Sequence, residues 1–403
     1  MKIPRVSILV TSCLVAACGG GGGSSSTDED ACGNALGNGN TVISGPAAPD
    51  AISNFDSPFR SLSVHPASAD TVYVGTEENG MLRSRDGGIT WERLRIGLRH
   101  SGSAYAEIYD LAISASNPDV LFAATTAGPG SARGSAGPSI GGIYKSEDGG
   151  DTWSRKNCGL PNASGSAVYI SPLDDAVALV GIGAGNSTTT GPSQFFPGGI
   201  FRTADGGDNW SRVDLDPLDE QNIYYQLVAR GAAQVYSFGL GHDSLADNAG
   251  FYTSSDTGET WSAVATPFTT LRIVYITISA DGQRIIFNEQ DKFELQVSED
   301  GGLIWGANNL VPANGPVRIS PHDKSHIVIA ANRDLWFSDD GLTTANKVVD
   351  TAVDFFQDIE FSASDPLVIY AITRGYHLYR SGDGGQRFQF VKDLRTDAIN
   401  AIP

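Results

Sequence analysis

The chain has 403 residues, 40% of them hydrophobic and 18% charged, with a formal net charge of −19. The negative balance, with no basic block to offset it, argues against nucleic-acid phosphate as a partner. Four cysteines rule out a disulfide-dense scaffold, and 48 glycines point to frequent turns. The six histidines have no metal-ligand spacing, and no phosphate loop or Gly-x-Ser-x-Gly elbow occurs, so no metal or cofactor is expected.

Lys2 and Arg5 precede an apolar run from Val6 to Val15. The run is too short to span a bilayer and has the form of a cleaved signal peptide. It ends Val15-Ala16-Ala17-Cys18, which resembles a bacterial lipobox. That resemblance implies cleavage before Cys18, lipid on its thiol and a membrane anchor. Gly19 follows where inner-membrane lipoproteins carry Asp, which implies the outer membrane. Residues 19–26 are only Gly and Ser, and Thr27-Asp28-Glu29-Asp30 comes next, a composition that cannot order itself. The expected organisation is a signal peptide over 1–17, a lipidated cysteine and tether over 18–50, and a folded, monomeric body over 51–403. With Cys13 discarded and Cys18 lipidated, Cys32 and Cys158 remain, as a disulfide or as two thiols.

The body carries an internal repeat. Ser84-Arg85-Asp86-Gly87-Gly88-Ile89-Thr90-Trp91 recurs at 146–153, 203–210, 254–261, 298–305, 338–345 and 381–388. The third place is Asp86, Asp148, Asp205, Asp256, Asp300, Asp340 and Asp383. The eighth is Trp91, Trp153, Trp210, Trp261 and Trp305, then Ala345 and Phe388. The pattern is that of a hairpin turn. The carboxylate accepts backbone N–H bonds across it, the glycines permit positive φ, and the indole covers it. The repeated Asp is therefore read as structural. The sixth copy has Leu342 for the fifth-place Gly and no Trp, so Asp340 is expected to matter less than Asp148.

Strand patterns flank each copy, as in Tyr109–Ser114, Val120–Ala124 and Gly142–Ser146. Four strands with the turn between the third and fourth make one propeller blade. The same grammar places blades at about 59–94, 108–156, 166–213, 223–264, 272–308, 315–348 and 354–394. The repeat aspartates lie 62, 57, 51, 44, 40 and 43 residues apart, so the early blades carry insertions on a ~40–45-residue unit. No strand is left over to latch the ring. Closure is expected from packing of blade one on blade seven. These phrases resemble the Asp box, or BNR repeat, and the resemblance implies an all-β, seven-bladed β-propeller with four-stranded antiparallel blades.

Strand order puts the repeat turns on one face and the second-to-third-strand loops on the other. The insertions at 127–141, 184–198 and 242–249 fall on that second face, read as long loops of the kind that carry function. Phe195 and Phe196 in the second insertion are candidate anchors for a partner or sugar ring. Glu77, Glu78, Glu107, Asp110, Asp243, Glu289, Asp291, Asp334, Asp354 and Asp358 are expected near the same rim. A glycosidase needs two carboxylates ~5–10 Å apart, and Glu77, Asp110 and Asp358 are the candidates for such a pair. Arg333, Arg374, Tyr376 and His377 are candidates for an anion.

The Asp-box families differ in layout. Sialidases carry an early Phe/Tyr-Arg-Ile-Pro motif, and only Pro58-Phe59-Arg60-Ser61 stands near that place here. Xyloglucan-cleaving enzymes pair two propellers, and sortilin-type receptors have ten blades with Cys-rich modules. Photosystem II assembly and stability factors are single seven-bladed propellers, and this chain is most similar to them in layout. That resemblance implies a non-enzymatic binding or assembly protein for a protein or glycan partner. The alternative is a glycoside hydrolase using rim carboxylates.

Overall fold

The computed structural model describes residues 59–77, 79–101, 104–126, 140–187, 194–213, 224–230, 234–240, 251–264, 273–289, 293–350 and 354–394. The strands assemble into seven separate four-stranded sheets, each antiparallel and each built from consecutive chain. Blade one is typical, with strands Phe59–Val64, Val72–Thr76, Met81–Ser84 and Glu92–Leu94 from the ring axis outward. The inner strands of the others are Glu107–Ile113, Gly165–Ile170, Tyr224–Arg230, Ile273–Ile278, Val317–Ile319 and Phe356–Phe361. The seven-bladed propeller expected from the repeats is the architecture found.

Second strands such as Val72–Thr76, Ala178–Ile182, Ile327–Ala331 and Ile369–Thr373 are buried at every residue. They read as unbroken apolar runs because both faces of a blade pack on neighbours. Seven apolar clusters fill the seven junctions. Tyr73, Met81 and Leu94 of blade one, for instance, meet Ile108, Leu121 and Tyr144 of blade two. The ring closes in the same way. Leu62, Val64 and Trp91 of blade one pack on Tyr370, Ile372 and Leu378 of blade seven, with no strand shared among the described residues.

The repeat turn is the same object seven times. In blade two the Ser146 hydroxyl donates to Asp148 at 2.8 Å and accepts the Gly150 amide at 2.8 Å. Asp148 also accepts the Thr152 amide at 2.8 Å and the Thr152 hydroxyl at 2.6 Å. The turn is tied to the first-to-second-strand turn of its own blade, as Gly149 N–H to Asp119 C=O at 2.9 Å shows. Both turns therefore lie on one face, as strand order required.

The sixth turn corrects the expectation of decay. Asp340 accepts the Ser338 hydroxyl at 3.0 Å, the Thr343 and Thr344 amides at 3.1 and 2.9 Å, and the Thr344 hydroxyl at 2.7 Å. Leu342 adopts φ 71° in the glycine's place, and its side chain is buried in the core between blades five and six. Burial of the side chain offsets the cost of a left-handed backbone.

Blade-to-blade links lean on the next blade's tryptophan. The Trp153 backbone amide donates to Ile96 C=O at 2.8 Å, and the Trp210 backbone amide to Cys158 C=O at 2.9 Å. Gly97 follows at φ 87°, and a Cβ there would stand 1.9 Å from the Trp153 carbonyl oxygen, so only glycine fits. Cys158 is disulfide-bonded. The other three cysteines, at 13, 18 and 32, lie outside the described residues, and so does its partner.

The insertion over 184–198 is not an irregular loop. Gly185–Ser187 pairs with Gln194–Phe196 as an antiparallel hairpin on the face opposite the repeat turns. The Asn162 amide clamps its base, donating to Gly183 C=O at 2.9 Å and Pro197 C=O at 3.3 Å. Residues 127–139 and 241–250, which hold most of the other two insertions, lie outside the described residues.

Because the sixth turn keeps its bonds, Asp148→Ala and Asp340→Ala are expected to lower the melting temperature equally, by about 2 °C each. Calorimetry on the two variants checks this. A loss at Asp148 with none at Asp340 would mean that the sixth turn is idle.

Candidate functional site

The inner strands surround the ring axis, and a β-bulge recurs near their starts. The register shifts between Phe59 and Ser61, Ile108 and Asp110, Gly165 and Ala167, Ile273 and Tyr275, and Phe356 and Asp358. A bulge re-aims the residue that follows it. Here that residue points at the next blade. The Ser61 hydroxyl donates to Ile108 C=O at 3.2 Å. Asp110 accepts the Val168 amide at 2.9 Å, and Asp358 accepts the Leu62 amide at 3.2 Å. Each Asp also accepts the amide that follows it, Leu111 or Ile359, at 2.9 Å.

Asp110 and Asp358 thus occupy equivalent places in blades two and seven. Both stand inside the ring and fasten one blade to the next, where a solvated rim was expected. Arg318 of blade six donates to Asp358 at 2.8 Å. Their side chains keep 28% and 16% of their surface open. Glu360 lies two residues beyond Asp358 on the same side of the strand.

Burial dominates the electrostatics. It pushes Asp110 up to about 6, against the bond from Val168. It raises Asp358 despite Arg318. It pushes Glu360 up to about 8, with Arg318 opposing and Asp358 and Asp110 adding to the rise. Tyr275 of blade five is pushed up to about 12.

The third candidate carboxylate, Glu77, is buried and paired with Arg60, which also holds Glu107 at 2.5 Å and lies over the Tyr109 ring. Asp334 is paired with Lys347 at 2.6 Å, and Asp354 is half-buried close to Gly375. Glu78, Asp243 and Asp291 lie outside the described residues, as do the side chains of Glu289, Phe195 and Phe196.

The anion candidates separate. Tyr376 adopts φ 79°, and its ring is buried in the core between blades seven and one, which removes it from any open site. His377 meets Phe390 edge-on. Arg374 is exposed, and its backbone amide donates to Phe355 C=O at 2.9 Å. Arg333 lies over the exposed Phe355 ring, 5.4 Å from its centroid. Among the described residues no group of three His, Cys, Asp or Glu side chains is placed to hold a metal ion.

Sequence reading missed Arg318, Glu360 and Tyr275. The signal was present in Val317-Arg318-Ile319, at positions that read Leu62-Ser63-Val64 in blade one, and in Asp358-Ile359-Glu360, at positions that read Ser61-Leu62-Ser63.

Asp358→Ala should leave Arg318 without its bonded carboxylate and the Leu62 amide without its acceptor. The expected cost is about 3–5 kcal/mol of unfolding free energy, read by denaturant titration. A loss well under 1 kcal/mol would show that the bond between blades is dispensable.

No family model matches the chain. It is 26% identical to a xyloglucanase of Hypocrea jecorina over 226 residues, which is 50% of this chain and 25% of that protein. It is 24% identical to a xyloglucanase of Acetivibrio thermocellus over 280 residues, 67% of this chain and 27% of that protein. The chain therefore spans about a quarter of the length of these curated relatives. Among solved structures it is similar to a GH74 xyloglucanase from Xanthomonas campestris, with a TM-score of 0.62 at 15% identity over 84% of this chain and 55% of that one. It is also similar to YCF48 from Cyanidioschyzon merolae, with a TM-score of 0.54 at 16% identity over 82% of this chain and 95% of that one. A YCF48 bound to D1 peptide gives a TM-score of 0.50 at 16% identity, over 72% and 82%. These likenesses establish a propeller fold shared with both xyloglucanases and YCF48.

Proposed function

We propose that the chain is an extracytoplasmic lipoprotein, anchored through Cys18 at the outer membrane, whose propeller binds a protein or glycan partner without hydrolysing it. The carrying observation is the use made of the candidate carboxylates. Asp110 and Asp358 hold backbone amides of the neighbouring blade, and Glu77 holds Arg60. A hydrolytic pair needs carboxyl groups free to trade a proton or attack a sugar. The propeller fold shared with a YCF48 bound to D1 peptide supports the same reading.

The partner surface in this reading is the face opposite the repeat turns, where the 185–196 hairpin stands on its Asn162 clamp. Phe195 and Phe196 remain its proposed anchors. Cys32 is the proposed partner of Cys158, which would tie the tether to the link between blades two and three. The second reading, a glycoside hydrolase, draws on the xyloglucanase alignments.

Replacing 185–196 by a short Gly-containing turn should leave the melting temperature within about 2 °C, because no blade strand is touched. The same variant should lose the partner recovered by crosslinking from intact membranes, while Cys18→Ser protein should leave the membrane fraction. The purified wild type should release no reducing ends from xyloglucan. Release of sugar that disappears in Asp110→Asn or Asp358→Asn would replace this reading with the hydrolase.

A further inference from the structure

A run of bases stands at the junction of blades one and two. The link over 95–106 contains Arg95, Arg99 and His100 and no acid, and all three side chains are buried. Arg95 donates to the Asn79 carbonyl and side-chain oxygens at 2.8 and 3.0 Å and lies over the Tyr105 ring, 5.0 Å from its centroid. The His100 ring stands 5.3 Å from the same tyrosine. Arg155 arrives from the outer strand of blade two, opposite Tyr144 in the register, and donates to Gly141 C=O at 3.1 Å. Arg99 and Arg155 both act on the Tyr144 hydroxyl, opposing the rise that burial causes there. Tyr105 and Tyr144 belong to one apolar cluster, so three guanidinium groups and an imidazole gather at a single junction. Burying positive charge is costly unless negative charge is laid against it.

A second observation says what is laid there. Cys158 stands three residues beyond Arg155 and is disulfide-bonded, and the other half of its bridge lies outside the described residues. A segment of this chain is therefore fastened beside the bases. With Cys32 as that other half, Asp28-Glu29-Asp30 ends two residues before the bridge. Residues 19–58 carry Asp28, Glu29, Asp30, Asp50 and Asp56 and no Lys or Arg. We propose that Asp28-Glu29-Asp30 docks on Arg95, Arg99 and Arg155 at the junction of blades one and two. The docking rests on the Cys32–Cys158 pairing proposed above.

Reach and chemistry both permit it. Three extended residues span about 10 Å from Cys158 back to Arg155, and two span about 7 Å from Cys32 back to Asp30. A bridge holds its two Cα atoms about 6 Å apart. Guanidinium groups present paired N–H donors that match carboxylate oxygens. The docked run also shortens the lipid leash. Without it the chain from Cys18 to Phe59 is slack, and with it only the stretch from Cys18 to Asp28 remains, about 35 Å at full extension. The propeller then stands close to the bilayer, with the junction of blades one and two turned towards it.

The test uses the mature full-length chain in detergent. Peptide mapping without reduction should show Cys32 joined to Cys158. A p-benzoylphenylalanine in place of Thr27 should then crosslink within 95–106 or at Arg155. With Asp28→Asn, Glu29→Gln and Asp30→Asn combined and the bridge intact, those crosslinks should fall about tenfold, the effect of losing one charge-assisted bond. Salt at about 1 M should weaken them in the same way. A chain in which Cys32 is not joined to Cys158 overturns the pairing and the docking together. A chain that has the bridge, but whose crosslinks land elsewhere or persist unchanged in the neutral variant, overturns the docking alone.

Discussion

A propeller blade has two apolar faces, and water can be kept from both only if each blade is covered on each side. The seven clusters of buried side chains, one at each junction, meet that requirement. Inner strands add a second requirement. Their polar groups lie against the next blade, and each buried amide must find an acceptor. The post-bulge side chains answer it, with Ser61, Asp110 and Asp358 reaching across to the neighbouring backbone. At the closing junction no strand is shared among the described residues, and the apolar cluster and the Asp358–Leu62 bond join the two blades. Bonds on the outer side assist, from the Tyr370 hydroxyl to Ala69 C=O at 2.9 Å, from Arg380 to the Asp70 carboxylate at 3.3 Å and from Lys392 to Ile89 C=O at 2.6 Å.

Much of this architecture was legible in the sequence, and the reason is chemical. The repeat turn needs a hydroxyl, a carboxylate and a left-handed backbone in fixed order, so its letters recur wherever it forms. The sixth copy shows the limit of that reading. Lost letters at Leu342 and Ala345 implied a weaker turn, yet the bonding atoms of Ser338, Asp340 and Thr344 are intact and the turn is whole. The axis was less legible. Whether an inner-strand residue faces the next blade or the mouth depends on a single extra residue, and nothing in Ile108-Tyr109-Asp110 or Phe356-Gln357-Asp358 marks that residue as a bulge. One residue of slip turns a side chain to the other face. Asp110 and Asp358 were therefore expected on the rim, and Arg318 and Glu360 passed unnoticed beside them. Tyr376 was misjudged for a related reason, since its left-handed backbone at φ 79° sends an apparently exposed loop ring into the core.

The same facts bear on function. A fold shared with xyloglucanases and with YCF48 is compatible with hydrolysis or binding, and the use of individual side chains has to decide between them. Here the candidate acids inside the ring hold it together, and burial raises Glu360 and Asp110 above the usual carboxylate range. The variable part of the chain lies elsewhere, in the early blades and on the face opposite the repeat turns. Function carried by that face leaves the ring free to be a rigid support, as loops on a fixed scaffold commonly are.

The central claim is that Asp358 and Arg318 act as one bonded unit that joins blades six, seven and one. A double-mutant cycle tests it most directly, using unfolding free energies of the wild type, Asp358→Asn, Arg318→Met and the double variant at pH 7. Residues in one bonded network couple by about 0.5–3 kcal/mol, and a value in that range is the expected result. Additive losses at the two sites, with a coupling of zero, would mean that the two groups are neighbours without being partners, and the account of ring closure would fail.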